Sequence, residues 1–370
     1  MKTILKSPYP WFGGKAQAAA LIWQALGDVP NYVEPFFGGG AVPLARPHAA
    51  RIETINDLNA WLCNFWRAVK SDPDAVATYA SDPVSELDLH SRGDWLFYRA
   101  GVDRDFVERL RGNPDWFDAK SAGWWVWGQC SWIGDNWGRR ECRSMLSLHR
   151  GKGLNKQACN QVWRQTPYLS SGNLGINRQR PAVGDAGRGV NRQIPHVGNA
   201  GMGVNRQIPH VGNAGMGVND DSTTGRHAGI RQYMRELCDR MARVRICCGD
   251  WSRVLGETPT IHNGLTGVLL DPPYGVADRD SVYGENESIS VAADVRAWCL
   301  AHGGEPLLRI ALCGYDGEHN ALETVGWRVV EWKARGGYGS QNAKGNDNGR
   351  RERIWFSPKC LDPQKAATLF

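Results

Sequence analysis

Asp271, Pro272, Pro273 and Tyr274 follow an apolar run, Gly267 to Leu270, with a carboxylate, two prolines and an aromatic ring. A buried strand that ends in a charge is costly unless that end is solvated or put to use. These residue types suit group transfer to a neutral exocyclic amine. Such an amine needs acceptors that hold its hydrogens and leave the nitrogen lone pair exposed. The Asp271 carboxylate and the Pro272 carbonyl supply two acceptors, and Tyr274 supplies a face on which a flat base can stack. The plainer alternative is the start of a loop. Transfer of this kind needs no covalent protein nucleophile, so none of the ten cysteines is assigned one.

A second group is Glu34, Pro35, Phe36, Phe37, Gly38, Gly39 and Gly40. Glycines after a strand let backbone approach a ligand closely, although such a turn is a weak signal by itself. No GKS or GKT is present to hold a triphosphate, but Gly13, Gly14 and Lys15 precede a helix and are open to misreading as a nucleotide loop. A ligand with a zwitterionic amino-acid end fits better, its carboxylate on backbone N–H groups and Glu34 or Lys15 close by. Asp57, at the end of the second strand, is placed to accept from ribose hydroxyls. It is equally placed to cap the helix that starts at Leu58.

The ordered set Trp11 to Lys15 (WFGGK), Glu34 to Val42 (EPFFGGGAV), Asn56 to Asn59 (NDLN), Gly249 to Trp251 (GDW) and Asp271 to Tyr274 (DPPY) resembles the Dam-like, D12 class of DNA N6-adenine methyltransferases. The resemblance covers roughly residues 8 to 70 and 228 to 357. It implies a Rossmann-like α/β sheet that binds S-adenosylmethionine, needs no metal, and methylates an adenine flipped out of duplex DNA. Carried over residue by residue, Trp11 and Lys15 lie near the methionine end. Glu34, Phe36, Gly38 and Gly40 surround the cofactor, and Asp57 holds its ribose. Asp250 meets the cofactor adenine with Trp251 beside it, and Asp271, Pro272, Pro273 and Tyr274 form the amine pocket. DPPY favours adenine N6 over cytosine N4. An RNA adenine, cytosine N4, or a non-catalytic DNA-binding protein on the same fold are the alternatives.

The elements that must position these residues follow from pattern. Helices are expected at Ala16 to Leu26, Leu58 to Val69, Asp103 to Arg111, Ile230 to Ala242, Ser290 to Leu300 and near Glu318 to Val325. Strands are expected at Asn31 to Phe36, Arg51 to Ile55, Val244 to Cys248, Gly267 to Leu270 and Pro306 to Leu312. Trp327 to Trp332 and Arg353 to Phe356 are expected to form a closing hairpin, in which Glu352 reads as structural. Beyond Ser71 the pattern loosens. Strand and helix alternation at both ends around an unlike middle implies one sheet domain, 1–71 with 228–370, carrying an inserted target-recognition region at 72–227.

That insertion departs most from the family. Gly189 to Met202 reads GVNRQIPHVGNAGM, Gly203 to Met216 repeats it unchanged, and a degraded copy occupies Gly175 to Arg188. Fourteen residues is too short a period for the common helical solenoids. Each unit has few apolar groups to offset its ordering entropy, which favours an extended or irregular arm over short turns stacked in register as in a small β-solenoid. Asn191 with Gln193, and Asn205 with Gln207, are of the type that reads adenine edges; a tether or a protein contact is the alternative.

From Arg139 to Asn219 twelve Lys or Arg face two acidic residues, +10 within a chain of net +6, so the rest carries −4. The excess suits a DNA-facing surface, with Arg139, Arg140, Arg143, Lys152 and Lys156 as phosphate contacts or merely a solvated basic face. Most of Trp124, Trp125, Trp127 and Trp132 are expected in the core, with one available to wedge into DNA. The loop Gly275 to Glu287, with Arg279 and Tyr283, is expected to close over the target base. Cys130, Cys142, His149 and Cys159 match no compact zinc spacing. The cysteines show no disulfide framework, and no apolar run suggests a signal peptide or membrane span. A cytoplasmic protein of phage or prophage type is expected, monomeric or weakly dimeric. Its partners would be double-stranded DNA and, in a restriction-modification pair, a separate nuclease.

Overall fold

The computed structural model describes residues 5–11, 14–48, 51–97, 106–131, 223–274, 285–332 and 351–362. Of these, the residues within Trp11–Asn59 and Ala242–Phe370 form one compact unit, and those within Ser7–Pro10 and Ala60–Met241 form another. The division falls at Asn59/Ala60 and Met241/Ala242, whereas the sequence pattern divides at 71/72 and 227/228. The helices at these two boundaries contact other helices of the second unit. The first of them is buried at every position from Ala60 to Val69, polar Asn64 and Arg67 included.

The first unit contains α1 (Ala19–Leu26), β1 (Asn31–Glu34), the short α2 (Ala41–Leu44), β2 (Ile52–Asp57), β3 (Val244–Cys248), β4 (Thr266–Leu270), β5 (Leu308–Tyr315), β6 (Arg328–Glu331) and β7 (Glu352–Phe356). The strands form one seven-stranded sheet in the order β3-β2-β1-β4-β5-β7-β6. The first five run parallel; β7 is antiparallel to β5, and β6 to β7. This is a mostly parallel, Rossmann-like α/β sheet, and the expected closing hairpin is β6 with β7.

Side chains alternate between the two faces with the period of two that strands impose. Leu269, Ala311, Cys313, Ile354 and Phe356 pack with Ile22, Trp23 and Leu26 of α1. Val268, Leu270, Ile310, Leu312 and Trp355 pack on the other side with Val295 and Cys299 of the helix Glu285–His302. Covering both faces explains why β4 reads as a continuous apolar run. Val268, Leu269 and Leu270 are fully buried, each contributing about 1.5–3 kcal/mol. At the outer edge, β6 carries Arg328 and Glu331 and is half exposed, as suits an edge that must not recruit another chain. Expected helices differ in detail. The first begins at Ala19, after a turn at residues 16–18. The segment near Glu318 is a 3-10 helix at Asn320–Val325.

The second unit is helical: α3 (Ala60–Ser71), α4 (Pro73–Ala80), α5 (Glu86–Phe97), α6 (Phe106–Gly112), α7 (Ala119–Ser131) and α8 (Thr223–Met241). The order is higher than the loose sequence pattern suggests because polar side chains close the helix ends. Asp72 caps α4 through Ala75 N–H at 3.0 Å, and Asp118 caps α7 through Ser121 N–H at 2.6 Å. Buried Arg67 donates to the carbonyls of Leu110 and Asn113 at the end of α6. Tyr9 lies against Phe65, Trp66 and Trp125, and accepts from Trp66 Nε1 at 2.9 Å. Trp125 and Trp127 are core residues, 2% and 1% exposed. Trp124 is half-buried between Tyr79 and Trp95. Gly123 lets α7 approach α4, since a Cβ there would meet Val76 O at 2.7 Å. Among the described residues no helix is long and apolar enough to cross a membrane.

Candidate active site

Parallel strands in register deliver their carboxyl ends side by side: Val33 is level with Val268, Glu34 with Ile55, and Asp57 with Cys248. Chain order reverses between β1 and β4. At such a switch point the loops diverge and leave a crevice, the usual ligand position in open α/β sheets.

The turns above β1, β2 and β3 are tied into one piece. Asp57 Oδ2 accepts from Gly38 N–H at 3.0 Å, and Oδ1 from Asn59 N–H at 2.8 Å. Asn56 Nδ2 donates to the carbonyls of Pro35 and Gly249, and Gly249 N–H donates to Asp57 O. Burial pushes the Asp57 carboxyl up to about 6, against the opposing pull of the Asn59, Gly38 and Leu58 amides. Asp57 therefore reaches back to the glycine turn as well as forward to the Asn59 amide that leads into α3. Gly38 sits at φ +52°, and a Cβ on it would run into the Trp11 indole. The WFGGK and EPFFGGG segments thus meet through backbone that only glycine permits.

Glu34, also buried, accepts from Tyr32 Oη at 2.9 Å. Burial drives its carboxyl well above the ordinary range. The Tyr32 bond opposes this, while Asp271, Glu53 and Asp57 add to it. Phe36 and Trp251 lie 6.1 Å apart with their planes 24° from parallel. Asp250, exposed, caps the 3-10 helix Trp251–Val254 through Ser252 N–H at 2.9 Å.

At the end of β4 the Asp271 carboxylate is held at both oxygens. Oδ1 accepts from Tyr274 Oη at 3.1 Å, and Oδ2 faces Lys15 Nζ at 2.8 Å. The Lys15 side chain is only 4% exposed. Its ammonium lies 5.4 Å from the ring centre of Tyr274 and 5.6 Å from that of Trp332, with Glu352 Oε2 at 3.9 Å. Burial alone would lower the Lys15 pKa. Asp271, Cys313 and Glu352 outweigh it and raise the net value, so the ammonium stays charged. Tyr274 in turn packs edge-on against Tyr315 at 4.5 Å. Pro272 is buried, and Pro273 and Tyr274 are half-buried.

Lys15, Asp271 and Tyr274 thus form one cluster. Glu34, Phe36, Gly38, Gly40, Asp57, Asp250 and Trp251 belong to the strand ends and turns of the same sheet. Sequence reasoning missed the walls Tyr315 and Trp332, and gave Glu352 only a structural part. The available signal was a carboxylate two residues before the apolar run Ile354 to Phe356. Arg139, Arg140, Arg143, Lys152, Lys156, the repeats and most of the loop after Tyr274 lie outside the described residues. So do Cys142, His149 and Cys159. Cys130 is buried in the helical unit and donates to Pro8 O at 3.4 Å. Among the described residues no three His, Cys, Asp or Glu side chains are grouped to hold a metal ion.

Residues 11–111 match the family model of the D12 class N6 adenine-specific DNA methyltransferases, which bears out the resemblance read from the motifs. Similar curated proteins include the Type II methyltransferase M.MjaIII of Methanocaldococcus jannaschii, 32% identical over 98 residues, 24% of this chain and 34% of that protein. Another is the DNA N-6-adenine-methyltransferase of Escherichia phage P1, 32% identical over 75 residues, 20% of this chain and 10% of that protein. The chain therefore spans about a third of the length of one relative and a tenth of the other.

Proposed function

We propose, from the D12-class match and the cluster at the end of β4, that this protein is a site-specific DNA adenine N6-methyltransferase using S-adenosylmethionine. The observation that carries this reading is the Asp271 carboxylate, fixed by Lys15 and Tyr274 at the switch point beside the glycine turn. The residues present suit the cofactor. The Trp11 indole packs against Gly38 where a Cβ would stand, so Trp11 and the turn after β1 can together line a polar ligand end. Phe36 and Trp251 offer nearly parallel aromatic surfaces for a purine. Trp11, Lys15, Glu34, Phe36, Gly38, Gly40, Asp57, Asp250 and Trp251 are the residues that would hold it. Bound there, it supplies an electrophilic methyl group on a sulfonium.

Every other part falls to the chain. Asp271 and the Pro272 carbonyl accept the hydrogens of the target amine and aim its lone pair. Tyr274, backed by Tyr315, gives the base its stacking face. The Asp271 carboxylate stabilises positive charge growing on the amine, and the proton leaves after transfer, so no strong base is needed. Arg139, Arg140, Arg143, Lys152 and Lys156 are assigned to the DNA phosphates on charge alone. We place this chemistry in the cytoplasm of a bacterial or phage-infected cell, on double-stranded DNA and without an obligatory partner subunit.

The test is methylation of defined duplex DNA with base-resolved detection, for the wild type and Asp271→Ala. The variant is expected to lose turnover by at least about a hundredfold while still binding S-adenosylmethionine in calorimetry. Unchanged methylation by the variant, or label appearing only on RNA or on cytosine, overturns the assignment.

A further inference from the structure

Asn56 is buried as the penultimate residue of β2 and carries a side-chain amide with no part in the chemistry above. Its Nδ2 donates to Pro35 O at 3.1 Å and to Gly249 O at 2.9 Å. Only the nitrogen end of an amide can meet two carbonyls, so these partners fix which way the side chain points. Asn56 O accepts from Phe37 N–H at 3.0 Å. Phe36 therefore stands between two peptide units that are both bonded to Asn56. On the β3 side, Gly249 O belongs to the peptide that leads into Asp250, with Trp251 next in the chain.

One side chain thus spans the two turns that carry Phe36 and Trp251, whose rings lie 6.1 Å apart. It also sets where Asp250 begins. The Asp250 carboxylate is exposed and is oriented through Oδ1, by Ser252 N–H at 2.9 Å and Ser252 Oγ at 2.5 Å. An adenine on these rings can turn its amine to such an acceptor, whereas a purine with a carbonyl in that place brings oxygen against oxygen. Resting on the S-adenosylmethionine reading above, we infer that Asn56 is a positioning residue for discrimination of the cofactor base: its amide holds Phe36, Asp250 and Trp251 in the alignment that reads an adenine amine. Without that amide, Asp57 still ties both turns to β2 through Gly38 N–H and Gly249 N–H. What is lost is the alignment and not the fold.

The experiment uses the full-length chain and two probes that undergo no methyl transfer, S-adenosylhomocysteine and S-inosylhomocysteine, which carry an amine and a carbonyl at the same purine position. Calorimetry on the wild type should find the inosyl compound bound at least about tenfold more weakly. Asn56→Leu is similar in size and lacks the donors. It should weaken S-adenosylhomocysteine at least about tenfold and the inosyl compound by less than about threefold, so discrimination falls at least about threefold. In steady-state methylation of duplex DNA, KM for S-adenosylmethionine should rise while kcat at saturating cofactor stays within about threefold. Asn31→Leu is the comparison. Asn31 is also buried, at the amino end of β1, and its Nδ2 donates to the carbonyls of Pro259 and Thr260. Its loss should lower the melting temperature and leave the discrimination at the wild-type value.

Equal weakening of the two probes by Asn56→Leu, unchanged affinity for both, or the same fall in discrimination in Asn31→Leu each overturns the inference. So does a loss of kcat at unchanged KM. Should Asn56→Leu fail to fold, Asn56→Ala is read by the same ratio: a fall of at least about threefold supports the positioning role, and a wild-type ratio overturns it. A wild type that binds neither probe overturns the cofactor reading and this inference together. A wild type that binds both probes alike overturns this inference alone.

Discussion

Asp57 carries a testable electrostatic signature. Its carboxyl is raised from an ordinary 3.8 to about 6, chiefly by burial, so the native state prefers the protonated form. The associated stability is fully present below about pH 4 and is lost as pH rises through about 6. Asp57→Asn removes that titration. The unfolding free energy of the wild type minus that of the variant should therefore grow by on the order of 3 kcal/mol between pH 7 and pH 4. A difference that stays flat across denaturant titrations at these pH values contradicts the buried acid. Tyr274 offers a second test through its two contacts. Tyr274→Phe removes only the hydroxyl bond to Asp271 and should lower kcat by less than about tenfold. Tyr274→Ala also removes the stacking face and should lose about one further order of magnitude in kcat/KM; equal losses would deny the ring its part. Asp271 and Tyr274 were legible in the sequence because a carboxylate and a ring after an apolar strand have few structural uses. The contact of Lys15 with Glu352 was not, since it joins residues near opposite ends of the chain and depends on how β7 pairs with β5.

In the proposed function the element that sets the ligand side is the turn after β1. Gly38→Ala places a Cβ at φ +52° against the Trp11 indole. Backbone strain of about 1–2 kcal/mol follows before any displacement of Trp11. The variant should melt at a lower temperature and bind S-adenosylmethionine at least about fivefold more weakly by calorimetry; wild-type affinity would show that backbone closeness there is dispensable. The clearest strands were readable because a largely apolar run is stopped by Gly or Asp, as Val244–Cys248 is by Gly249 and Thr266–Leu270 by Asp271, and because β4 is covered on both faces. Helices α4, α5 and α7 were harder to read. Their apolar residues, mostly Ala in α4, Leu in α5 and Trp in α7, form no clear stripe, and their ends are fixed by tertiary partners, as when Asn64 and Asp118 bond reciprocally across the helical unit.

For the molecule as a whole, the sequence divides its charge more sharply than its length. The segment 175–216 holds Arg178, Arg180, Arg188, Arg192 and Arg206 against Asp185. Deleting it should weaken DNA binding at low salt. The slope of log affinity against log salt should become shallower by about 0.9 for each arginine that meets a phosphate. An identical slope and affinity would mean that the repeats do not touch DNA. The carboxyl end of the sheet differs: Asp271 and Glu352 share the single ammonium of Lys15, while burial raises the carboxyls of Glu34 and Asp57. Beside Asp271 the one ammonium is thus already engaged, and a phosphate backbone would gain little there. In the proposed reaction the part of DNA suited to that place is an uncharged base held away from its phosphates. Charge would then favour extrusion of the base before any hydrogen bond has read which base it is.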